Sequence, residues 1–213
     1  MLSVSLPSPG WNQACSSNGL SGIHDPGVSL VVWKRPSPPN IGREVASLPT
    51  DAFPDVRVRV HAAKVGEKLA ELFRTQGYDA QAAFPAWLSD MVRLSEIFID
   101  LAGGRPVTAR IESLDRTACP RFHVDRSYLR LVCTYRGPGT EWLDDACVDR
   151  EAQRGGAPNT AIARCIAPSR MQTFWVGVMK GSRYPGCADS GLVHRSPDVE
   201  PGTSGRILFC LDC

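Results

Sequence analysis

Histidine is scarce in this chain of 213 residues, which contains four: His24, His61, His123 and His194. Long hydrophobic runs are missing as well. The longest apolar stretches, such as 28–33 and 129–133, have the length of a strand and fall far short of the ~20 residues of a membrane-spanning helix. We therefore predict no membrane segment, and any chemistry that needs imidazole must draw on very few residues.

An excess of one charge is also missing. The 24 Lys and Arg residues nearly balance the 22 Asp and Glu residues, and no basic block is long enough to predict a nucleic-acid surface. Residues 1–10 lack the basic region and the continuous apolar core of a secretory signal. We expect a cytoplasmic protein that binds neither nucleic acid nor membrane, with the substrate and the oligomeric state left open.

Cysteine, by contrast, is frequent, with eight residues. Without a secretion signal, reduced thiols or metal ligands are expected rather than disulfides. Cys210 and Cys213 form a C-x-x-C pair, but a structural zinc site usually needs two such pairs. Cys147 or Cys187 would have to complete the set through folding, so we favour buried thiols that act as small hydrophobic side chains.

Composition divides the chain into an arm and one domain. Residues 1–27 are rich in Ser, Pro, Gly and Asn and predict a loosely ordered arm, whereas 28–213 predicts a single domain. Its first part, 28–105, is expected to be a helical buttress. The predicted elements of this part are strands at 28–33 and 56–61 and amphipathic helices at 62–76 and 86–102.

The second part of the domain, 106–213, reads as short strands separated by turns. Strands are predicted at 107–114, 121–125, 129–135, 140–143, 171–179, 191–193 and 206–211, with a polar loop at 144–158. Strands without intervening helices favour an antiparallel sandwich or barrel over a parallel sheet. We therefore predict an α+β fold, a jelly-roll-like β core with N-terminal helices packed against it.

A possible metal site emerges from the β-rich part. His123 and Asp125 are two residues apart, so they share one face of an extended strand, roughly 6.6 Å apart. His194, near another predicted strand, offers a third ligand. Two imidazoles and one carboxylate form the facial triad of non-haem Fe(II) oxygenases, which leaves coordination positions open. Arg206 follows on the next strand, where its guanidinium can bind a carboxylate through two hydrogen bonds.

This order of His-x-Asp, distal His and Arg resembles the 2-oxoglutarate/Fe(II)-dependent oxygenase superfamily, whose core is a double-stranded β-helix of the cupin type. More closely, the segments 119–125, 129–143 and 194–197 resemble the bacterial domain-of-unknown-function family 1826, over most of the chain from about Ile23 onward. The resemblance implies a double-stranded β-helix core, Fe(II) and 2-oxoglutarate as cofactors, and a metal site in 106–213.

The same resemblance implies roles for individual residues. It makes His123, Asp125 and His194 the metal ligands and Arg206 the anchor of 2-oxoglutarate. Many superfamily members carry Ser or Thr two residues after that arginine, where this chain has Leu208. Another hydroxyl is therefore needed, for which we predict Tyr135 or Thr134. Arg130 has the same parity as Thr134 on its strand and is expected to face the same pocket.

These observations predict an Fe(II)/2-oxoglutarate-dependent dioxygenase-like protein that acts on a small-molecule or protein substrate of unknown identity. The alternative is a non-catalytic, cupin-like protein in which the same three residues, together with cysteines, bind zinc. A β-sandwich binding module without a metal is a third hypothesis.

Overall fold

The protein, described from a computed structural model, is defined over residues 10–53, 56–188, 190–200 and 203–213. Its strands there are β1 (Trp11–Ala14), β2 (Leu30–Trp33), β3 (Val56–Val60), β4 (Val107–Leu114), β5 (Leu129–Arg136), β6 (Glu141–Trp142), β7 (Ser169–Arg170), β8 (Val176–Lys180), β9 (His194–Arg195) and β10 (Arg206–Asp212). Its α-helices are α1 (Pro39–Ala46), α2 (Val65–Thr75), α3 (Ala80–Ala83), α4 (Pro85–Leu101), α5 (Arg150–Arg154) and α6 (Asn159–Ile162).

Within these residues the strands form two sheets. The large sheet has the order β1-β2-β8-β5-β10-β4-β3, and the small sheet has the order β7-β6-β9. From β4 onward the chain crosses between them after β5, β7, β8 and β9, since β4, β5, β8 and β10 belong to the large sheet and β6, β7 and β9 to the small one. The segment around His123 joins the edge of the small sheet through a single bridge to β9. The two sheets enclose an apolar layer that includes Val132, Trp142 and Leu208.

The other face of the large sheet carries the helices. Residues of β5 alternate, so that Leu129, Leu131 and Cys133 pack toward the helices and the residues between them face the small sheet. α4 begins with Pro85, a favourable first residue of a helix because its missing N–H has no partner to lose. No helix in the described part of the chain is long and apolar enough to cross a membrane.

A buried ion pair fixes α4 to the sheet. Arg35 donates to both carboxylate oxygens of Asp90, at 2.5 and 2.7 Å, and to the carbonyl oxygen of Phe174 at 2.7 Å. The Tyr135 hydroxyl donates to the same carboxylate at 2.6 Å. We call these four residues the Arg35–Asp90 clasp. Phe174 has a φ of +70°, a strained value for a residue with a side chain, and the clasp holds its carbonyl group in place.

The N-terminal segment differs from its prediction as a loose arm. Residues 1–9 lie outside the described residues, but β1 pairs in parallel with β2 at the edge of the large sheet. Leu20 and Ile23, in the 3₁₀ turn Ser17–His24, are fully buried. Their spacing places both side chains on the side that faces the core. The free energy gained by burying them keeps this segment on the sheet, although the residues around them are polar. In addition, β2 and β3 enter the large sheet, so the segment 28–105 is more than a helical buttress.

Most of the other predicted elements agree with the structure within a few residues, and β4 has the predicted limits. The exceptions are informative. Residues 121–125 make one bridge instead of a strand. The predicted strand 171–179 is regular only from Val176, because the turn at Phe174 interrupts it. The predicted loop 144–158 contains the short helix α5, and in place of the strand predicted at 191–193 the structure has β9, which begins three residues later.

Candidate metal site

His123, Asp125 and His194 come together at the edge of the small sheet. One potential ligand atom from each lies within 4.8 Å of the others. The two histidines are directly opposite in the antiparallel bridge, and each backbone N–H donates to the other's carbonyl oxygen at 3.0 Å. Opposed residues project their side chains to the same face, so the imidazole centroids are 4.6 Å apart. The bridge thus aligns two ligands from distant parts of the sequence.

Backbone carbonyl groups orient both imidazoles. Nδ1 of His123 is 2.8 Å from the carbonyl oxygen of Arg121, and Nδ1 of His194 is 3.2 Å from that of Leu192. Because a carbonyl oxygen only accepts hydrogen bonds, each Nδ1 must carry the proton and donate it. The Nε2 atom of each ring is then the one nearest to Asp125, at 3.5 Å for His123 and 3.2 Å for His194 from its carboxylate oxygens. Metal-binding histidines are commonly oriented by such a second hydrogen bond.

The Asp125 carboxylate is ionised although it is almost completely buried. Burial opposes the charge, but His194, His123 and Arg130 outweigh it and hold the pKa of Asp125 well below its usual range. Arg130 Nη1 lies 2.5 Å from Oδ2, yet no contact of this buried oxygen has hydrogen-bond geometry. An ionised carboxylate with one imidazole Nε2 near each of its oxygens is a donor set that fits a divalent cation, so the residues present suit a metal.

The histidines open into a cavity of about 90 Å³ between the two sheets. Arg206 lines it and is only 1% exposed. Its Nη2 donates to the hydroxyls of Thr134 and Thr140, at 3.2 and 2.9 Å, while its Nε has no hydrogen-bond partner. Burial lowers the pKa of Arg206 to about 10, and the nearby charge of Glu112 acts in the opposite direction. A buried guanidinium with an unused donor is a favourable partner for an anion.

Of the three other residues predicted to bind the cosubstrate, two lie near the cavity and one does not. Thr134 touches Arg206, as described above. Arg130 lines the cavity, but its guanidinium is engaged by Asp125 and by Asp212, at 2.5 Å from each carboxylate. Tyr135 lies on the opposite face of the large sheet, in the Arg35–Asp90 clasp, because consecutive strand residues point to opposite faces. Its hydroxyl therefore does not reach the cavity, which corrects the prediction that it binds the cosubstrate.

Sequence reasoning missed several polar residues that line the cavity, among them Arg110, Glu112 and Thr140. The first two alternate on β4 with core residues, a period-2 signal that marks them as facing away from the helices. Their position beside Arg206, however, depends on the register of β4 with β10, in which Arg110 pairs with Cys210. Thr140 follows a Gly-Pro-Gly turn, and nothing in the sequence indicates its direction.

No cysteine of the described residues belongs to the group of candidate metal ligands, although Cys119 lines the cavity. Over the described ranges, one group of three or more His, Cys, Asp or Glu side chains is close enough to share a metal, and it consists of His123, Asp125 and His194. Cys210 is fully buried, and burial raises the pKa of its thiol to about 11. The Cys213 thiol lies 3.7 Å from the carbonyl oxygen of Leu129. Both behave as the structural thiols that the sequence favours.

A glycine behind Asp125 sets the position of this ligand. A Cβ atom on Gly181 would collide with the Ser127 carbonyl oxygen and lie 2.9 Å from that of Asp125. We expect Gly181→Ala to displace the Asp125 segment, to destabilise the protein by about 1–3 kcal/mol and to weaken metal binding. Urea unfolding and metal titration would measure both effects. Gly66→Ala, within α2, is the control and should be neutral or stabilising; equal behaviour of the two variants would contradict the prediction.

The fold and the site define a class: a mixed α and β protein with a large sheet and a candidate metal site between two sheets. The chain belongs to the family described as protein of unknown function DUF1826, whose model matches residues 14–212. A comparison with curated proteins finds no match.

Solved structures with a similar fold include the dioxygenase for auxin oxidation (DAO) of rice, with a TM-score of 0.50 and 15% sequence identity, over 86% of this chain and 72% of that one. AviO1 of Streptomyces viridochromogenes Tue57 has a TM-score of 0.41 and 12% identity, over 93% and 95%. A full-length Neurospora crassa protein, solved in complex with alpha-KG, has a TM-score of 0.41 and 12% identity, over 92% and 76%. Of these three, the rice enzyme alone is similar enough to indicate a shared fold.

Proposed function

We propose that this protein is a non-haem Fe(II)/2-oxoglutarate-dependent oxygenase that acts on a substrate still to be identified. The observation that carries the proposal is the convergence of His123, Asp125 and His194, whose two imidazoles line the same cavity as the buried, incompletely bonded Arg206. The triad alone would suit several divalent metals. The arginine adds a specific requirement for an anion at a short distance from the metal.

The order of the strands supports the proposal. From β4 to β10 the chain crosses repeatedly between two facing sheets, with neighbouring strands antiparallel. This winding supports a double-stranded β-helix, which is the fold that we assign to the β core. In this assignment the metal ligands occupy the small sheet and Arg206 begins the last strand of the large one. The likeness of the fold to the rice dioxygenase is consistent with it.

Each residue of the site has a role in the proposal. Fe(II), when bound, would supply the activation of dioxygen, which protein side chains cannot perform. His123, Asp125 and His194 would hold it, and Arg130 would keep the Asp125 carboxylate ionised and in place. Arg206 would bind the distal carboxylate of 2-oxoglutarate. Thr140 accepts from Arg206, so its own hydroxyl proton remains available to that carboxylate and replaces the hydroxyl missing at Leu208.

The charges of the cavity favour a dianion. Arg110 is paired with Glu112 at 3.1 Å, and Asp212 meets the charge of Arg130. A divalent metal beside Asp125, together with Arg206, would then leave two positive charges without a partner. 2-Oxoglutarate carries two negative charges, one at each end, and therefore neutralises the metal and the arginine separately. A neutral or monoanionic ligand would leave a buried charge uncompensated, which is costly.

The test is an anaerobic titration of the apoprotein with Fe(II) and 2-oxoglutarate, followed by the visible charge-transfer band of the chelate. We expect a band in the wild type, its loss in Arg206→Gln, and no change in Arg43→Gln, an exposed control with the same change of charge. Thr140→Val, which retains the size of the side chain, should weaken 2-oxoglutarate binding by about tenfold and leave metal affinity unchanged.

The alternatives predict other results. Zinc that is held tightly and does not respond to 2-oxoglutarate would contradict the oxygenase and favour a non-catalytic metal-binding protein. The absence of any metal binding would favour a metal-free binding module. A band that persists in Arg206→Gln would remove the arginine from the cosubstrate site.

A further inference from the structure

A second polar groove lies behind the metal site, at the end of β10. It has a volume of about 470 Å³ and contains Arg59, Arg126, Arg130 and Arg183, together with Thr108, Ser127 and Asp212. We call it the arginine groove. Arg59 comes from β3, whereas Arg126 and Arg183 come from the loops that follow Asp125 and β8. Its four guanidinium groups thus derive from separate parts of the fold.

The arginine groove has a surplus of positive charge. Asp212 alone is acidic among its described lining residues, and it already binds Arg130 at 2.5 Å. Arg59, Arg126 and Arg183 are exposed and form no ion pair with any residue that the structure describes. Exposed arginines usually lie near acidic groups of opposite charge on a balanced surface. Three unpaired ones in one concavity favour an anionic ligand with more than one charge.

Backbone hydrogen bonds connect the two loops that carry Arg126 and Arg183. Ser182 N–H donates to the carbonyl oxygen of Asp125 at 2.8 Å, and Arg183 N–H donates to that of Ser127 at 3.1 Å. The loops that carry Arg126 and Arg183 are therefore bonded to each other before any ligand arrives, which reduces the entropy cost of binding. Ser127, which lines the groove, has a buried hydroxyl without a hydrogen-bond partner.

We propose that the arginine groove binds a small phosphate-bearing anion with two or three negative charges. Planar guanidinium groups match phosphate oxygens with paired hydrogen bonds, and three of them match a diphosphate better than a single carboxylate. The size of the groove is that of a small-molecule site. A nucleic-acid-binding surface usually has a basic stripe along it. The arginines of this groove instead line one concavity.

Arg130 joins this groove to the metal cavity, because it lines both. One side of its guanidinium lies against Asp125 and the other against Asp212. An anion in the groove would compete with these carboxylates for Arg130. An anion bound in the arginine groove would therefore change the contact between Arg130 and the candidate metal ligand Asp125.

The test uses inorganic pyrophosphate as the probe, titrated calorimetrically into the full chain without added metal. We expect one site per chain, and Arg126→Gln and Arg183→Gln should each weaken binding by about tenfold, as expected for the loss of a charge-assisted contact. Arg74→Gln removes an exposed charge from α2 and is the matched control, with unchanged affinity expected. Both positions in the groove are exposed, so these variants should fold normally.

Three results would overturn the proposal. The first is the absence of pyrophosphate binding to the wild type. The second is an equal loss of affinity in Arg74→Gln, which would indicate general attraction to a basic surface. The third is unchanged affinity in both Arg126→Gln and Arg183→Gln, which would place the anion outside the arginine groove. None of the three depends on whether the protein is an oxygenase.

Discussion

Replacing Asp90 with asparagine should lower the free energy of unfolding by about 3–5 kcal/mol, because it leaves the buried guanidinium of Arg35 without its counter-charge. The Arg35–Asp90 clasp is almost inaccessible to water, with side chains 7% and 10% exposed, so solvent cannot replace the lost carboxylate. The Tyr135 hydroxyl would lose its charged acceptor in the same variant. For a chain of this length the midpoint of thermal unfolding should fall by roughly 10 °C.

Asp100→Asn is the matched control, since Asp100 is an exposed residue near the end of the same helix. Its midpoint should remain close to that of the wild type. Urea unfolding monitored by circular dichroism measures both variants. If Asp90→Asn lost less than about 1 kcal/mol, the clasp would have to be regarded as a surface-like ion pair that water can replace.

Replacing Asp125 with alanine should lower metal affinity by more than about a hundredfold, since changes to residues that merely orient metal ligands already cost ten- to a hundredfold. The variant removes the one carboxylate of the triad and keeps both histidines aligned through their bridge. The fold should persist, because Arg130 retains Asp212 as a partner. Titration of the apoprotein with Co(II), whose absorption reports coordination, would measure the loss.

Asp145→Ala is the control for this variant, because Asp145 is a partly exposed carboxylate that pairs with Arg150 outside the triad. It should bind Co(II) like the wild type. A wild-type protein that bound no metal, or an Asp125→Ala protein that bound it as tightly, would show that the three side chains serve a structural purpose instead.

The sequence was sufficient to select the three side chains that the structure brings together as candidate ligands and the arginine that lines the cavity beside the two histidines. Histidine is rare here, so the His-x-Asp spacing and a distal histidine leave few alternatives, and Arg206 lies at a recognisable distance from His194. Tyr135 shows the limit of this reasoning. Its residue type suited the role, but its side of β5 follows from strand parity, which places it among the aromatic side chains under α4.

The residues that sequence reasoning missed depend on register. Arg110 and Glu112 reach the cavity because β4 pairs with β10 in a particular alignment, and no local pattern encodes that alignment. The edge strand β1 was missed for a related reason. Its four residues have no clear alternation, and its place comes from pairing with β2 and from the burial of Leu20 and Ile23 nearby.

The bridge between His123 and His194 has a consequence for the metal-free protein. The segment at His123 joins the small sheet through this one bridge and one further backbone hydrogen bond, from Ser196 N–H to the carbonyl oxygen of Cys119, and it is also bonded to Asn159. Few hydrogen bonds therefore keep that edge closed. A cation held by both imidazoles would bind only the closed form and would therefore stabilise it by mass action. Metal binding and the local opening of this edge are then coupled equilibria. Binding of the metal lowers the population of the open form, and so stabilises the sheet edge that supplies the ligands.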